Sequence, residues 1–266
     1  MSITNIEWKN MEKIKTLVCG DLHCKHDVFL KTIFKFKTEK YDKLIFLGDY
    51  VDDWDKPPEA SINTIQNLIR LKQENPDSVI LLLGNHDLSE WQGTDTFKCS
   101  GFNPLTHIQI RDIFADYEDL FQIAYSDGKH LYTHAGITTD WINEISFIDE
   151  LYQPKSYNPD EWADYLNWIF RERENDYHAN PLFKTLGQAG LARGGLHAPS
   201  PLWADKIELI NSPLPLNQIV GHTPVEKIEK WDFNRPSNFT LTFCDTHSTT
   251  PYGENIGNGE LLTVWN

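Results

Sequence analysis

Short apolar runs, each closed by glycine or a polar residue, recur along the chain at Ile14 to Cys19, Leu44 to Leu47, Val79 to Leu83, Leu131 to Thr133, Gln218 to Val220 and Leu241 to Cys244. Runs of this length bounded by turn formers predict buried strands. Between the first three, apolar side chains take helical spacing: Phe29, Ile33 and Phe36 share one face, and Ile62, Ile65 and Ile69 share another. Asp27 is placed to cap the first helix, and Pro57-Pro58 to open the second. Strands alternating with helices in this way predict an α/β fold with parallel strands and right-handed crossovers.

The pattern then changes. Gln122 to Thr133 carries Asp127-Gly128 at its centre, a pair suited to a tight hairpin turn, so antiparallel strands are expected to join the sheet there. Residues 139–215 are rich in Trp, Tyr and Pro and contain few strand-like runs. Within them Asn158-Pro159-Asp160-Glu161 reads as a helix start, and Trp162, Leu166, Ile169 and Phe170 continue along one face. The expectation is one domain over residues 1–266 with a helical cap inserted at 139–215. Ordinary packing of that helix on the core is the alternative.

Composition narrows the function classes. A chain of 266 residues, 40% hydrophobic, can bury one substantial core. A formal charge of −15 argues against nonspecific binding to nucleic acid or to an anionic membrane, because both depend on Lys and Arg neutralising phosphate. Cys19, Cys24, Cys99 and Cys244 show neither disulfide-framework spacing nor a CxxC pair, which predicts free thiols in a reducing compartment. The first fifteen residues hold no apolar signal core, and no run is long enough to span a bilayer, so a soluble cytoplasmic protein is expected.

The candidate chemistry lies at the strand ends. They read Gly20-Asp21-Leu22-His23, Gly48-Asp49-Tyr50-Val51-Asp52, Gly84-Asn85-His86-Asp87, His134-Ala135-Gly136 and Gly221-His222-Thr223-Pro224. Loops at the carboxyl ends of parallel strands converge on one crevice, so groups distant in sequence can meet there. Asp, Asn and His are donors suited to Mn, Fe, Zn or Mg. One Asp after Gly is more often a turn or a cap. Five such pieces in order on successive strand ends are not explained by caps.

This series of motifs resembles the calcineurin-like metallophosphoesterase superfamily, most of all the branch that contains phosphoprotein phosphatases, small bacteriophage serine/threonine phosphatases and symmetrical bis(5′-nucleosyl)-tetraphosphatases. The matching motifs run from about residue 14 to 250, with 139–215 mostly unmatched. The resemblance implies a four-layer α/β/β/α sandwich with mixed sheets. It also implies that Asp21 and His23 hold one metal, that Asp49 bridges two, and that Asn85, His134 and His222 complete the second. The implied cofactors are two divalent metal ions, Mn first, with Fe, Zn, Mg or Ni as alternatives. Two cations about 3.5–4 Å apart acidify a shared water and hold phosphate in line for attack. His86 would protonate or stabilise the leaving oxygen. Asp52 would orient it by accepting the other ring proton, a helix cap being the alternative for this residue. The implied substrate is a phosphorylated small molecule, a nucleotide or a phosphoprotein. A metal-dependent phosphodiesterase or nuclease and a noncatalytic metal-binding module are the competing classes.

The sequence departs from that branch in several places. Protein phosphatases place Arg-Gly after the second motif and Arg before Gly-Asn-His, where this chain has Asp53-Trp54 and Leu83. The missing arginine, with Asp87, is closer to the nucleosyl-tetraphosphatase side. Pro224 stands where sister families have a second His, which implies fewer protein ligands on the first metal. Cys24 replaces a Gly, and Asp245-Thr246 is similar to a recurring family ending. Arg193, within Leu191-Ala192-Arg193-Gly194-Gly195, is a substitute phosphate clamp or else a surface ion pair. Asp53 either repels an incoming phosphate or points away to cap the next segment.

Overall fold

The computed structural model describes residues 13–53, 56–93, 96–149, 151–174, 181–250 and 253–266; the segment before residue 13 and Trp54, both read above, lie outside them. The described residues begin with β1 (Lys15–Cys19), α1 (His26–Thr38), β2 (Lys43–Phe46), α2 (Glu59–Glu74) and β3 (Val79–Leu82), and all three strands run parallel. Then come α3 (Asn85–Gln92), α4 (His107–Asp116) and a short parallel β4 (Phe121–Gln122) beside β3. Strand alternation divides the side chains. Leu17, Leu44, Phe46, Val79 and Leu81 pack with Phe29, Phe36, Ile65 and Leu68 of the two helices. Val18, Ile45, Leu47, Ile80 and Leu82 face the other way.

What that second face meets is another sheet. The hairpin β5 (Ala124–Ser126) and β6 (Leu131–Thr133) belongs to it, followed by α5 (Thr139–Ile145), α6 (Pro159–Arg171), α7 (Pro181–Thr185) and α8 (Lys206–Asn211). Strands β7 (Gln218–Val220), β8 (Glu229–Phe233) and β9 (Phe239–Phe243) complete it in the order β5-β6-β7-β9-β8. The last strand, β10 (Leu262–Trp265), returns to pair antiparallel with β1, so the first sheet runs β10-β1-β2-β3-β4. Tyr132, Ile219 and Cys244 fill the gap between sheets against Val18, Ile45 and Leu82. Val220, Leu241 and Phe243 turn outward to meet Leu209 of α8. The architecture is the α/β/β/α sandwich with two mixed sheets.

Three local expectations change. Asp27 is the second residue of α1 and accepts no capping bond; Lys25 precedes the helix, and Asp27 acts only as an acid in the first turn. The hairpin joins the second sheet, because the chain crosses between sheets at Ile123. In its turn only Gly128 has a positive φ, 82°, while Asp127 Oδ1 accepts from Lys129 N and His130 N. Strands β4, β8 and β10 went unread: β4 has two residues, and β8 is an edge strand with Glu, Lys, Trp and Asp largely in solvent.

Helix α6 is capped by Asn158, whose side chain accepts from Asp160 N, with Pro159 in the first turn. It buries Trp162, Leu166, Ile169 and Phe170 as its spacing predicts and packs on β5 and β6. Asn167 ties it to the crossing: Oδ1 accepts from Ile123 N at 2.9 Å and Ala124 N at 3.1 Å, while Nδ2 donates to Ala124 O at 2.9 Å. Asn167→Ala strands those backbone groups and is expected to cost about 2 kcal/mol, read as a lower denaturant midpoint with metal content unchanged. An unaltered midpoint would remove this account of the crossing. No helix among the described residues is long and apolar enough to cross a membrane.

Candidate metal centre

The loops that follow β1, β2, β3 and β7 line one cavity of about 430 Å³, with Asp21, His23, Asp49, Asn85, His86 and His222 on its wall. His134, after β6, is fully buried and meets Asn85 and His222. Five of the six non-glycine residues with positive φ among those described lie in these loops: His23, Cys24, Asp49, Asp52 and His222. Left-handed backbone is costly for such residues and concentrates where side chains must be aimed. The motif glycines answer a second need. A Cβ on Gly84 would strike the Asp49 carboxylate, and one on Gly221 would strike that of Asp21.

Hydrogen bonds decide which imidazole nitrogens face inward. His134 Nδ1 donates to Leu47 O at 2.9 Å, which turns Nε2 inward, 2.9 Å from Asn85 Oδ1, 3.0 Å from His222 Nδ1 and 3.4 Å from Asp49 Oδ2. His23 Nδ1 donates to the carbonyls of Asp52 at 2.7 Å and Val51 at 3.0 Å, so its Nε2 faces Asp49 Oδ2 at 3.7 Å and Asp21 Oδ2 at 3.9 Å. Bare ring nitrogens aimed at carboxylate and amide oxygens repel, so the arrangement calls for a cation or a proton among them. Burial opposes charge on His134, but Asp49 and Asp21 raise it to about 9, and its Nε2 then holds a proton that a bound cation would displace. His222 is held neutral, burial and the charge of His134 pushing it well below the usual histidine value, and its Nε2 is buried with no partner among the described residues. Asp49 belongs both to a cluster with His134 and His222 and to one with His23 and His86, ligand atoms within 4.8 Å of one another in each. The oxygen and imidazole donors fit Mn, Fe, Zn or Mg.

The carboxylates are not equivalent. Burial alone would raise Asp49, yet the charges of His134 and His86 hold it well below the ordinary range. Asp21 is pushed up to about 6 by burial and its neighbour Asp49. His86 is the second residue of α3; its backbone N–H donates to Asp49 Oδ1 at 2.9 Å and its Nδ1 lies 2.9 Å from Asp52 Oδ2. Burial opposes its charge, but Asp49 and Asp52 raise its pKa well above the usual histidine value. Asp52 therefore serves the ring and does not cap a helix. Asp87 ties the second and third loops together, accepting from Tyr50 N at 2.8 Å and Gly84 N at 2.9 Å.

Arg193 reaches the same cavity from a 3-10 turn over Leu191–Arg193, with Nη2 3.2 Å from Thr223 Oγ1 and Nε 3.0 Å from Asp205 Oδ2. Cavity wall and ion pair are thus combined in one residue. Asp53 points to Lys25, its Oδ2 3.8 Å from Nζ. Sequence reasoning passed over Lys25, Cys99, Trp203 and Ser248, which also line the cavity. Only Lys25 carried a signal, as a cation directly after the first motif. Asp245, noted above only as part of a recurring family ending, is fully buried; Oδ1 accepts from Ser248 N, while Oδ2 has no partner among the described residues.

The family model described as Calcineurin-like phosphoesterase matches residues 14–226, most of the chain and all five motif loops. The chain belongs to the calcineurin-like phosphoesterase family. Among curated relatives of this phosphoesterase, the serine/threonine-protein phosphatase 6 catalytic subunit of Caenorhabditis elegans is 25% identical over 166 residues, 59% of this chain and 49% of that protein. The serine/threonine-protein phosphatase 2B catalytic subunit A2 of Saccharomyces cerevisiae is 30% identical over 138 residues, 50% of this chain and 21% of that protein. The phosphoesterase thus spans about half of one relative and a fifth of the other. Of solved structures, the cold-active protein-tyrosine phosphatase of a psychrophilic Shewanella species superposes with a TM-score of 0.54 at 19% identity, covering 94% of this chain and 74% of that one. That likeness is one of fold.

Proposed function

We propose that this phosphoesterase is a dinuclear metal-dependent phosphatase that hydrolyses a phosphomonoester or phosphoanhydride of a phosphoprotein, nucleotide or phosphorylated small molecule. The observation that carries the reading is the convergence of imidazole nitrogens, carboxylates and an amide oxygen around Asp49, beside a charged His86. Asp21 and His23 would hold one ion, Asn85, His134 and His222 the other, and Asp49 both. Bound there, divalent ions, manganese first, would supply Lewis acidity and an acidified water. The chain does the rest. His86 keeps a proton ready for the leaving oxygen, Asp52 holds the ring at that angle, and Arg193 offers N–H donors to phosphate. A noncatalytic metal staple would have no use for the His86–Asp52 pair. Four unpaired cysteines, three of them buried, suit a reducing, cytoplasmic location.

The test is hydrolysis of p-nitrophenyl phosphate that requires added Mn, stops on chelation and returns with the ion. The same panel should include diadenosine tetraphosphate, a phosphopeptide and bis(p-nitrophenyl) phosphate. Metal-replete protein that turns over none of them would sink the reading, and a preference for the diester would transfer it to the phosphodiesterase class.

A further inference from the structure

We propose that Lys25 is a phosphate-gripping residue of this site, and that it selects a terminal phosphoryl dianion over a diester. The inference takes from the proposed function only the place where phosphate binds. Lys25 follows His23 and Cys24, whose left-handed backbone turns the chain sharply, and its own N–H closes that turn on Leu22 O at 2.9 Å. The residue lines the cavity although only 10% of its side chain is exposed. A lysine buried to this degree is rare unless its charge is matched.

The match is incomplete. Asp53, itself 4% exposed, stands 3.8 Å away, beyond hydrogen-bond length, and Nζ donates no hydrogen bond to any described residue. Three N–H donors therefore remain for a ligand, while Asp53 offsets the burial of the charge when no anion is present. Arg193 enters the cavity from a loop beside the second sheet, with Nη2 near Thr223. Lys25 enters from a loop of the first. A monoester presents three non-bridging oxygens and up to two negative charges, whereas a diester presents two oxygens and one charge. The extra oxygen and charge are what a further ammonium can recognise.

The experiment is calorimetric titration of the Mn-loaded full chain with inorganic phosphate. Lys25→Gln is expected to weaken binding about 10-fold or more at unchanged Mn content, the loss typical of a charge-assisted hydrogen bond. Asp53→Asn is expected to tighten it about threefold, because the carboxylate no longer opposes the anion. The preference in kcat/KM for p-nitrophenyl phosphate over the bis ester should fall about 10-fold in Lys25→Gln. No phosphate binding by the unaltered protein, or a Lys25→Gln Kd within twofold of it, overturns the proposal. If Lys25→Gln does not fold, Asp53→Asn decides: unchanged or weaker binding assigns the pair a structural role. Lys25-dependent binding without any turnover would leave this inference standing and remove only the hydrolytic reading.

Discussion

Asp49→Asn is expected to lower kcat on p-nitrophenyl phosphate by about 1,000-fold or more and to reduce bound Mn below two ions per chain. The substitution keeps shape and removes one negative charge. That charge is buried, and it lies 3.4 Å from His134 Nε2 and 3.7 Å from His23 Nε2, the two nitrogens that face opposite halves of the site. Bringing two cations close together in a desolvated cavity depends on a shared anion, and a neutral amide cannot replace it. Elemental analysis and initial rates on one preparation check both halves. Full metal content with an unchanged rate would contradict the bridging role.

His86→Gln is expected to lower kcat by about 100-fold or more with both ions retained, since a positioned proton donor contributes roughly that much. The loss should grow with the basicity of the leaving group, larger for an alkyl phosphate than for p-nitrophenyl phosphate, because only the poorer leaving group needs the proton. Asp52→Asn acts through the same ring. Asp52 and Asp49 raise His86 well above its usual pKa, and with Asp52 neutral the ring loses its proton at lower pH. The alkaline limb of the rate profile should therefore move downward in Asp52→Asn, with kcat at neutral pH reduced about 10- to 100-fold. A profile that does not move would mean that the proton comes from elsewhere.

The pattern of apolar runs was sufficient for β1, β2, β3, β6, β7 and β9, because strands buried on both faces are continuous hydrophobic segments. The convergence of six candidate ligands was legible for a related reason: strand ends with glycine beside Asp, Asn or His are local features, and their order is preserved in the chain. Asp52 could not be separated from a cap until its Oδ2 was seen 2.9 Å from His86 Nδ1, since short-range sequence fits both roles. Arg193 was equally open, and the structure gives it an ion pair and a place on the cavity wall together.

By itself the sequence determined the α/β alternation, the five motif loops and the oxygen and imidazole donors they carry, all of which follow from nearest-neighbour chemistry along the chain. Tertiary structure alone decided which strands join each sheet, that Ile123 is the crossing between the two, that β8 and β10 form edges, and that Lys25 lies beside Asp53 on the cavity wall. Those features rest on contacts between residues far apart in sequence. Burial, charge pairing and sheet edges are properties of the packed molecule, and no local period records them.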